Sequence, residues 1–191
     1  MYLYYKENTS KEDSRSLLKQ VLKRYIKKCG DSQFFEGELQ IAKTPQGKPY
    51  LQKPLLPEKI FFSVSHTKSY WVCLIGGEEL GIDIEEKTRG IPEERILSIS
   101  QRFFSKEEFA CVKELGKEVF YSIWVRKEAF IKCKGTGLSE NLRSFSTIDE
   151  NGSFKKTVDG LFLSSLALPL PVYCALCTKE KEIKIKEIES V

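Results

Sequence analysis

Two groups of acidic residues stand where plain packing does not ask for them. In Gly81-Ile82-Asp83-Ile84-Glu85, strand alternation sends Ile82 and Ile84 to one face and Asp83 and Glu85 to the other. Neighbouring carboxylates at a strand end repel, and are comfortable only in water or around a cation. The segment fits the solvated face of a half-buried strand, or a site for a hard divalent ion, which prefers oxygen ligands. The second group centres on Glu128. In the helix expected over 117–134, Phe120, Ile123, Trp124 and Ile131 define an apolar stripe, and Glu128 falls on it. A carboxylate facing a core needs a partner. Lys132 follows four residues later in the favourable Glu-to-Lys order, so the two read either as a surface ion pair or as part of a site.

Groups suited to anions accompany these acids. Phe61-Phe62-Ser63-Val64-Ser65-His66 is an apolar run ending on the chain's only histidine. A lone histidine after a strand is more often structural, but Ser65 and His66 leaving the run together suit an anion. Gly47-Lys48-Pro49 is a turn that presents one lysine. Gly135-Thr136-Gly137-Leu138 permits a tight backbone but is no GxxxxGK[ST] phosphate loop. The single histidine excludes HExxH and Cys2His2 zinc sites. Three acids, several cations and no second histidine suit a hard cation. The matching chemistry is phosphoryl transfer, where positioning and charge neutralisation do most of the work.

These residues need a scaffold. Leu17, Leu18, Val21, Leu22 and Tyr25 predict an amphipathic helix over residues 10–28, stopped by Gly30. Residues 43–59, rich in Pro, Gly and Lys, read as a loop. Strands are expected at Ile60–Val64, Tyr70–Ile75 and Leu80–Ile84, the last two joined by a hairpin turn at Gly76–Glu79. Ile91–Phe104 reads as a helix with Pro92 in its first turn. Ser105 and Glu108 form a capping-box pattern opening another helix that ends near Gly116, and the helix over 117–134 stops at Gly135. Short strands follow at Phe145–Ile148, Leu161–Leu166, Val172–Cys177 and Ile183–Ile188. The class is α+β with mostly antiparallel pairing.

Composition narrows the setting. The chain has 191 residues, 41% hydrophobic and 30% charged, enough for a core without disulfide staples. No stretch approaches the ~20 apolar residues of a membrane span, so no membrane partner is expected. The net charge of +4 is too small to imply nucleic acid but tolerates an anionic ligand or an acidic protein. Met1–Asn8 lacks the apolar run and cleavage site of a signal peptide. The six cysteines are therefore expected as reduced thiols in the cytoplasm. Cys174 and Cys177 fit CxxC, but in a strand they point to opposite faces, which argues against a redox or zinc pair.

The ordered motifs resemble a known family. Gly81–Glu85 (GIDIE), Phe104–Glu108 (FSKEE) and Trp124–Leu138 (WVRKEAFIKCKGTGL), with Phe62–Thr67 and Gly47–Pro49 upstream, are similar to the motif series of the 4′-phosphopantetheinyl transferase superfamily. The length and upstream motifs resemble its surfactin-synthetase-activating type. Val125 stands where the family often has Ser, Cys or Thr. The resemblance spans about residues 10 to 148 and implies a pseudo-dimer of two similar α+β halves, 1–87 and 88–191, in one chain, acting as a monomer. It implies coenzyme A in the cleft between the halves and an enzyme that moves the 4′-phosphopantetheine arm to a serine of an apo acyl or peptidyl carrier protein, releasing adenosine 3′,5′-bisphosphate.

By position, the resemblance implies that Asp83, Glu85 and Glu128 hold magnesium, with manganese as the other candidate. Lys132 would contact phosphate and stabilise the transition state. Arg15, Ser16, Lys48, Ser65 and His66 would bind coenzyme A. Glu128 is the favoured general base and Glu108 the second, although Glu108 also fits the capping box. Longer members carry further basic residues before the first helix; here Lys11, Lys19 and Lys23 are the available substitutes. Two other readings follow from the same residues. One is a catalytically degenerate module that binds coenzyme A or a carrier protein. The other is a magnesium-dependent phosphodiester hydrolase.

Overall fold

Residues 1–7, 13–29, 38–88, 90–137, 141–179, 185 and 187–191 are described in the structure, a computed structural model. The chain opens with a strand, β1 (Tyr2–Glu7), absent from the sequence expectations. Leu3 and Tyr4 are both fully buried, in different cores, so β1 shows no one-sided alternation. Helix α1 (Ser14–Lys28) follows, its N-terminus capped by Asp13 accepting from the Ser16 amide at 3.3 Å. Its buried stripe is Leu17, Leu18, Val21, Leu22 and Ile26, with Tyr25 half-buried beside it. Residues 10–12 and Gly30 of the expected helix lie outside the described residues.

The expected loop over 43–59 contains a hairpin instead, β2 (Gln40–Lys43) and β3 (Pro49–Lys53). Its turn is closed by Thr44 N to Lys48 O at 2.9 Å with Gly47 at φ +92, and Pro49 takes the first position of β3. Strands β4 (Phe61–His66), β5 (Tyr70–Gly76) and β6 (Leu80–Glu86) come next, then α2 (Glu93–Phe103), α3 (Lys106–Leu115) and α4 (Lys117–Lys134). The strand expected at Phe145–Ile148 does not form. Only Ile148 pairs, in a single bridge to Phe154. The polar groups of that segment are taken by side chains: Phe145 O accepts from Lys127, and Thr147 N donates to Glu108. Strands β7 (Thr157–Val158), β8 (Leu161–Ser165), β9 (Val172–Thr178) and β10 (Glu187–Ser190) complete the chain. Residues 183, 184 and 186 of the last expected strand are outside the described residues.

The class is α+β, as expected. One sheet has the order β10-β1-β5-β4 and the other β6-β9-β8-β7. Within each sheet a first strand leads to helix and then to two strands, the last of which inserts beside the first: β1-β5-β4 and β6-β9-β8, both antiparallel. The chain changes sheets at the Gly76–Leu80 turn, because β6 pairs with β9. Strand β10 crosses back to lie parallel to β1.

Alternation on the strands builds the layers. Tyr4, Trp71 and Cys73 pack outward on α1. Leu3, Val72 and Leu74 pack inward on Ile82, Ile84, Cys174 and Leu176 of the second sheet. The far face of that sheet, through Ala175 and Cys177, receives Val125, Ala129 and Phe130 of α4. Cys174 and Cys177 therefore occupy different cores, and both are free thiols. Among the described residues no helix is long and apolar enough to cross a membrane.

One glycine sets how closely α4 lies on β6. A β-carbon at Gly81 would sit 2.0 Å from Ala129 O and 2.5 Å from Cys133 N, backbone atoms that cannot move aside singly. Gly81→Ala should therefore push α4 from β6 and cost about 3 kcal/mol, an overpacking penalty, read as a lower urea midpoint. An unchanged midpoint would contradict this contact.

Candidate active site

The approach at Gly81 brings the acids together. Asp83 and Glu85 share the Gly81 face of β6, towards α4, and α4 places Glu128 and Lys132 one position before Ala129 and Cys133. The opening they line also takes in Val64, Ser65, His66 and Trp124. Glu128 is not on a core-facing stripe, contrary to expectation. Helix α4 is buried on most sides, between the second sheet and α2 and α3, and Trp124, Glu128 and Lys132 form the half-buried side left open to the cleft. A helix with several apolar faces gives no unique stripe.

Lys132 does not close the expected i, i+4 pair with Glu128. Its ammonium lies 2.6 Å from Asp83 Oδ1 and 3.3 Å from Val64 O. Asp83 also accepts from Ser65 Oγ at 2.7 Å. Ser65 Oγ accepts from Ile84 N at 3.3 Å, and Ser63 Oγ from Ile82 N at 3.1 Å. The sheet edges β4 and β6 thus meet through serine hydroxyls where a backbone ladder would otherwise run. The Ser-x-Ser alternation in β4 is the sequence signal for this seam.

Glu128 has little counter-charge close by. Burial, then the negative charge of Asp83, push its carboxyl above the ordinary glutamate range; Lys132 opposes this and Glu85 adds to it. Among the described residues no three His, Cys, Asp or Glu side chains are grouped tightly enough to hold a metal ion. The ammonium of Lys132 is the cation that sits against Asp83.

The opening runs into a cavity of about 270 Å³ that shares Val64, Glu128 and Lys132 with it and is walled by Gly47, Lys48, Pro49, Phe62 and Gly135. Lys48 thus stands at the far end of one continuous cleft. Its ammonium pairs with Glu79, a partner the sequence reading missed, and donates to Cys133 O at 2.9 Å. His66 is exposed at the rim. Arg15 and Ser16 stand exposed at the start of α1 and do not line this cleft. Lys11 and Leu138 lie outside the described residues.

Glu108 is not brought to the cleft. It is fully buried, and its oxygens are taken by Ser105 N (2.9 Å), Thr147 N (2.8 Å), Thr147 Oγ1 (2.9 Å) and Lys127 Nζ (2.8 Å). The capping box opening α3 is present in full. With four donors on it and no exposed edge, Glu108 holds α3, α4 and the 145–147 segment together.

Comparison with known proteins finds a family and relatives. Residues 79–167, which carry Asp83, Glu85, Glu128 and Lys132, match the family model for the 4′-phosphopantetheinyl transferase superfamily. The chain belongs to that superfamily. It is 38% identical over 141 residues to 4′-phosphopantetheinyl transferase Sfp of Bacillus subtilis (strain 168), covering 71% of this chain and 59% of that protein. It is 35% identical over 148 residues to the Bacillus subtilis 4′-phosphopantetheinyl transferase ffp, covering 74% and 62%. A mouse relative, L-aminoadipate-semialdehyde dehydrogenase-phosphopantetheinyl transferase, is 37% identical over 112 residues, covering 52% and 36%. The chain thus spans less than two thirds of the length of these curated relatives. The superfamily match begins at Glu79, so Lys48, Ser65 and His66 lie before it and Asp83 to Lys132 within it.

Proposed function

We propose that this chain transfers the 4′-phosphopantetheine arm of coenzyme A to a serine of an apo acyl or peptidyl carrier protein, releasing adenosine 3′,5′-bisphosphate. The observation that carries the reading is the convergence of Asp83, Glu85, Glu128 and Lys132 on one opening that continues to Lys48. Membership of the superfamily and the names of the relatives support it. The reading takes a monomer as the working unit, which the cleft having both walls from one chain supports, acting in the cytoplasm with its thiols reduced.

Asp83, Glu85 and Glu128 are the residues that would hold magnesium or manganese. Their chemistry fits: three hard oxygen donors, one with its proton affinity raised by burial and then by Asp83, are what a divalent cation relieves. Such an ion, when bound, neutralises charge on the pyrophosphate of the substrate. The protein's own groups do the rest. Lys132, anchored by Val64 O, presents its charge to the phosphoryl oxygens as negative charge develops there. Lys48, Ser65 and His66 line the path for the remaining phosphates. Glu128 takes the proton from the carrier serine as the Oγ–phosphorus bond forms and the P–O bond to adenosine 3′,5′-bisphosphate breaks. In the ion-free site burial, then the charge of Asp83, holds its carboxyl above the ordinary glutamate range.

Product analysis tests this against its alternatives. With an apo carrier, coenzyme A and magnesium, adenosine 3′,5′-bisphosphate should appear only when the carrier is present, one for each carrier modified. Free phosphopantetheine formed without any carrier would instead identify a hydrolase. Coenzyme A binding with no product would identify a degenerate module. Lys132→Met should lower kcat by about 10²–10³ while the carrier is still bound; a kcat within tenfold of the parent would remove Lys132 from the chemistry.

A further inference from the structure

The turn between β2 and β3 closes over the C-terminal end of α4. Two glycines with positive φ make room for it. A β-carbon would meet Lys48 Cδ at 3.0 Å from Gly135, and Gln46 O at 2.6 Å from Gly137. The Lys48 stem lies flat on Gly135, and its ammonium is held by Cys133 O as well as by Glu79. Lys48 is shared between the cleft cavity and a second cavity of about 270 Å³, and Glu79 lines only the second. An ammonium has three donors. Glu79 and Cys133 O take two, which leaves one for a ligand in the cleft.

The two lysines of the cleft cavity are thus each paired with a carboxylate, Lys132 with Asp83 and Lys48 with Glu79. The second pair differs in kind. Asp83 belongs to the acidic cluster, whereas Glu79 stands apart, on the turn leading into β6. Nor is Glu79 needed to place the lysine, because Gly135 and Cys133 O already fix the stem and the head.

We propose that Glu79 is a specificity-determining residue: its carboxylate competes with an incoming phosphate group for Lys48 and so sets how tightly the cleft holds its anionic ligand. Coenzyme A as that ligand rests on the function proposed above. The competition itself rests on the Lys48–Glu79 geometry. Removing the carboxylate leaves the ammonium in place with its full charge offered to the cleft. Glu79 is one-third exposed, so solvent screening keeps the effect modest.

Titration calorimetry with coenzyme A tests this. Glu79→Gln should tighten binding about threefold to fivefold at low salt, the range of a partly exposed ion pair, and by less at high salt. Glu79→Ala, which removes the carboxylate without leaving an amide, should give the same gain. Lys48→Met should weaken binding, and in its background Glu79→Gln should bring no gain. Binding by both Glu79 variants no tighter than the parent overturns the proposal, as does a gain that survives Lys48→Met. If the parent fails to bind coenzyme A, the transferase reading fails, and the same titrations with inorganic pyrophosphate decide this proposal. A Lys48-dependent gain upholds it and no gain overturns it.

Discussion

Glu128→Gln should abolish transfer, by about three orders of magnitude or more, and at neutral pH should make the ligand-free protein harder to unfold. Both effects have one origin. The carboxyl binds its proton more tightly in the folded chain than in the unfolded one, because burial and Asp83 disfavour its charge. Between the ordinary glutamate pKa and the raised one, the folded state carries the extra proton, so stability falls as pH rises through that window. Above the window the ionised carboxylate weighs on the fold in full, and glutamine removes that load. Thermal unfolding with EDTA should show a higher midpoint for the variant at about pH 7.5 and no difference near about pH 3, where the carboxyl is protonated in both states. A variant that is less stable at neutral pH, or that keeps a tenth of the activity, would contradict both the strain at Glu128 and its role as base. A group that weakens the resting fold while serving the reaction is a familiar trade between stability and activity.

Glu108→Ala should be the most damaging change to the fold outside the cleft, at about 3–5 kcal/mol. The cost comes from what remains. Lys127 is fully buried, and burial already pushes its amine below the ordinary lysine range, with Glu108 the charge that opposes the shift. Without that partner the ammonium keeps only Leu142 O and Phe145 O, each at 2.7 Å, and the faces of Phe104 and Phe145. Thr147 N and Ser105 N lose their acceptor as well. Urea unfolding of Glu108→Ala, Lys127→Met and the double variant gives the coupling. The double variant should be more stable than Glu108→Ala, because no unpaired charge stays buried. Additive losses would contradict the pairing. The same set separates structure from catalysis at Glu108: where Glu108→Gln is fully folded, its pH–rate profile should match the parent's, while a vanished limb would return Glu108 to the chemistry.

The site was more legible than the scaffold, for physical reasons. Chemistry forces residue types into places that packing would fill otherwise, and Asp83 and Glu85 are visible as such misfits, whereas Glu128 drew notice for an apolar stripe that α4, buried on most sides, does not have. They do converge on one opening. Which cation meets which acid was not legible, because i, i+4 spacing offers Lys132 to Glu128 while the tertiary fold offers it to Asp83 at shorter range. Glu79 was invisible for the same reason: its partner lies 31 positions away across the cleft. Strand β1 escaped because it is buried on both faces, and β3 because Gly47 in the turn and Pro49 at the strand's first position read as loop. The change of sheet was not legible because a hairpin-like turn at Gly76–Glu79 joins strands that belong to different sheets. A Gly-Gly turn specifies a reversal, not the pairing of the strands it joins.

The most direct test of the central claim is the intact mass of an apo carrier protein incubated with this chain, coenzyme A and magnesium, with a parallel sample in EDTA. The carrier should gain one phosphopantetheine, a gain absent with EDTA and absent with Glu128→Gln. An unchanged carrier mass across fatty acid, polyketide and peptide carriers, from protein that binds coenzyme A, would contradict it.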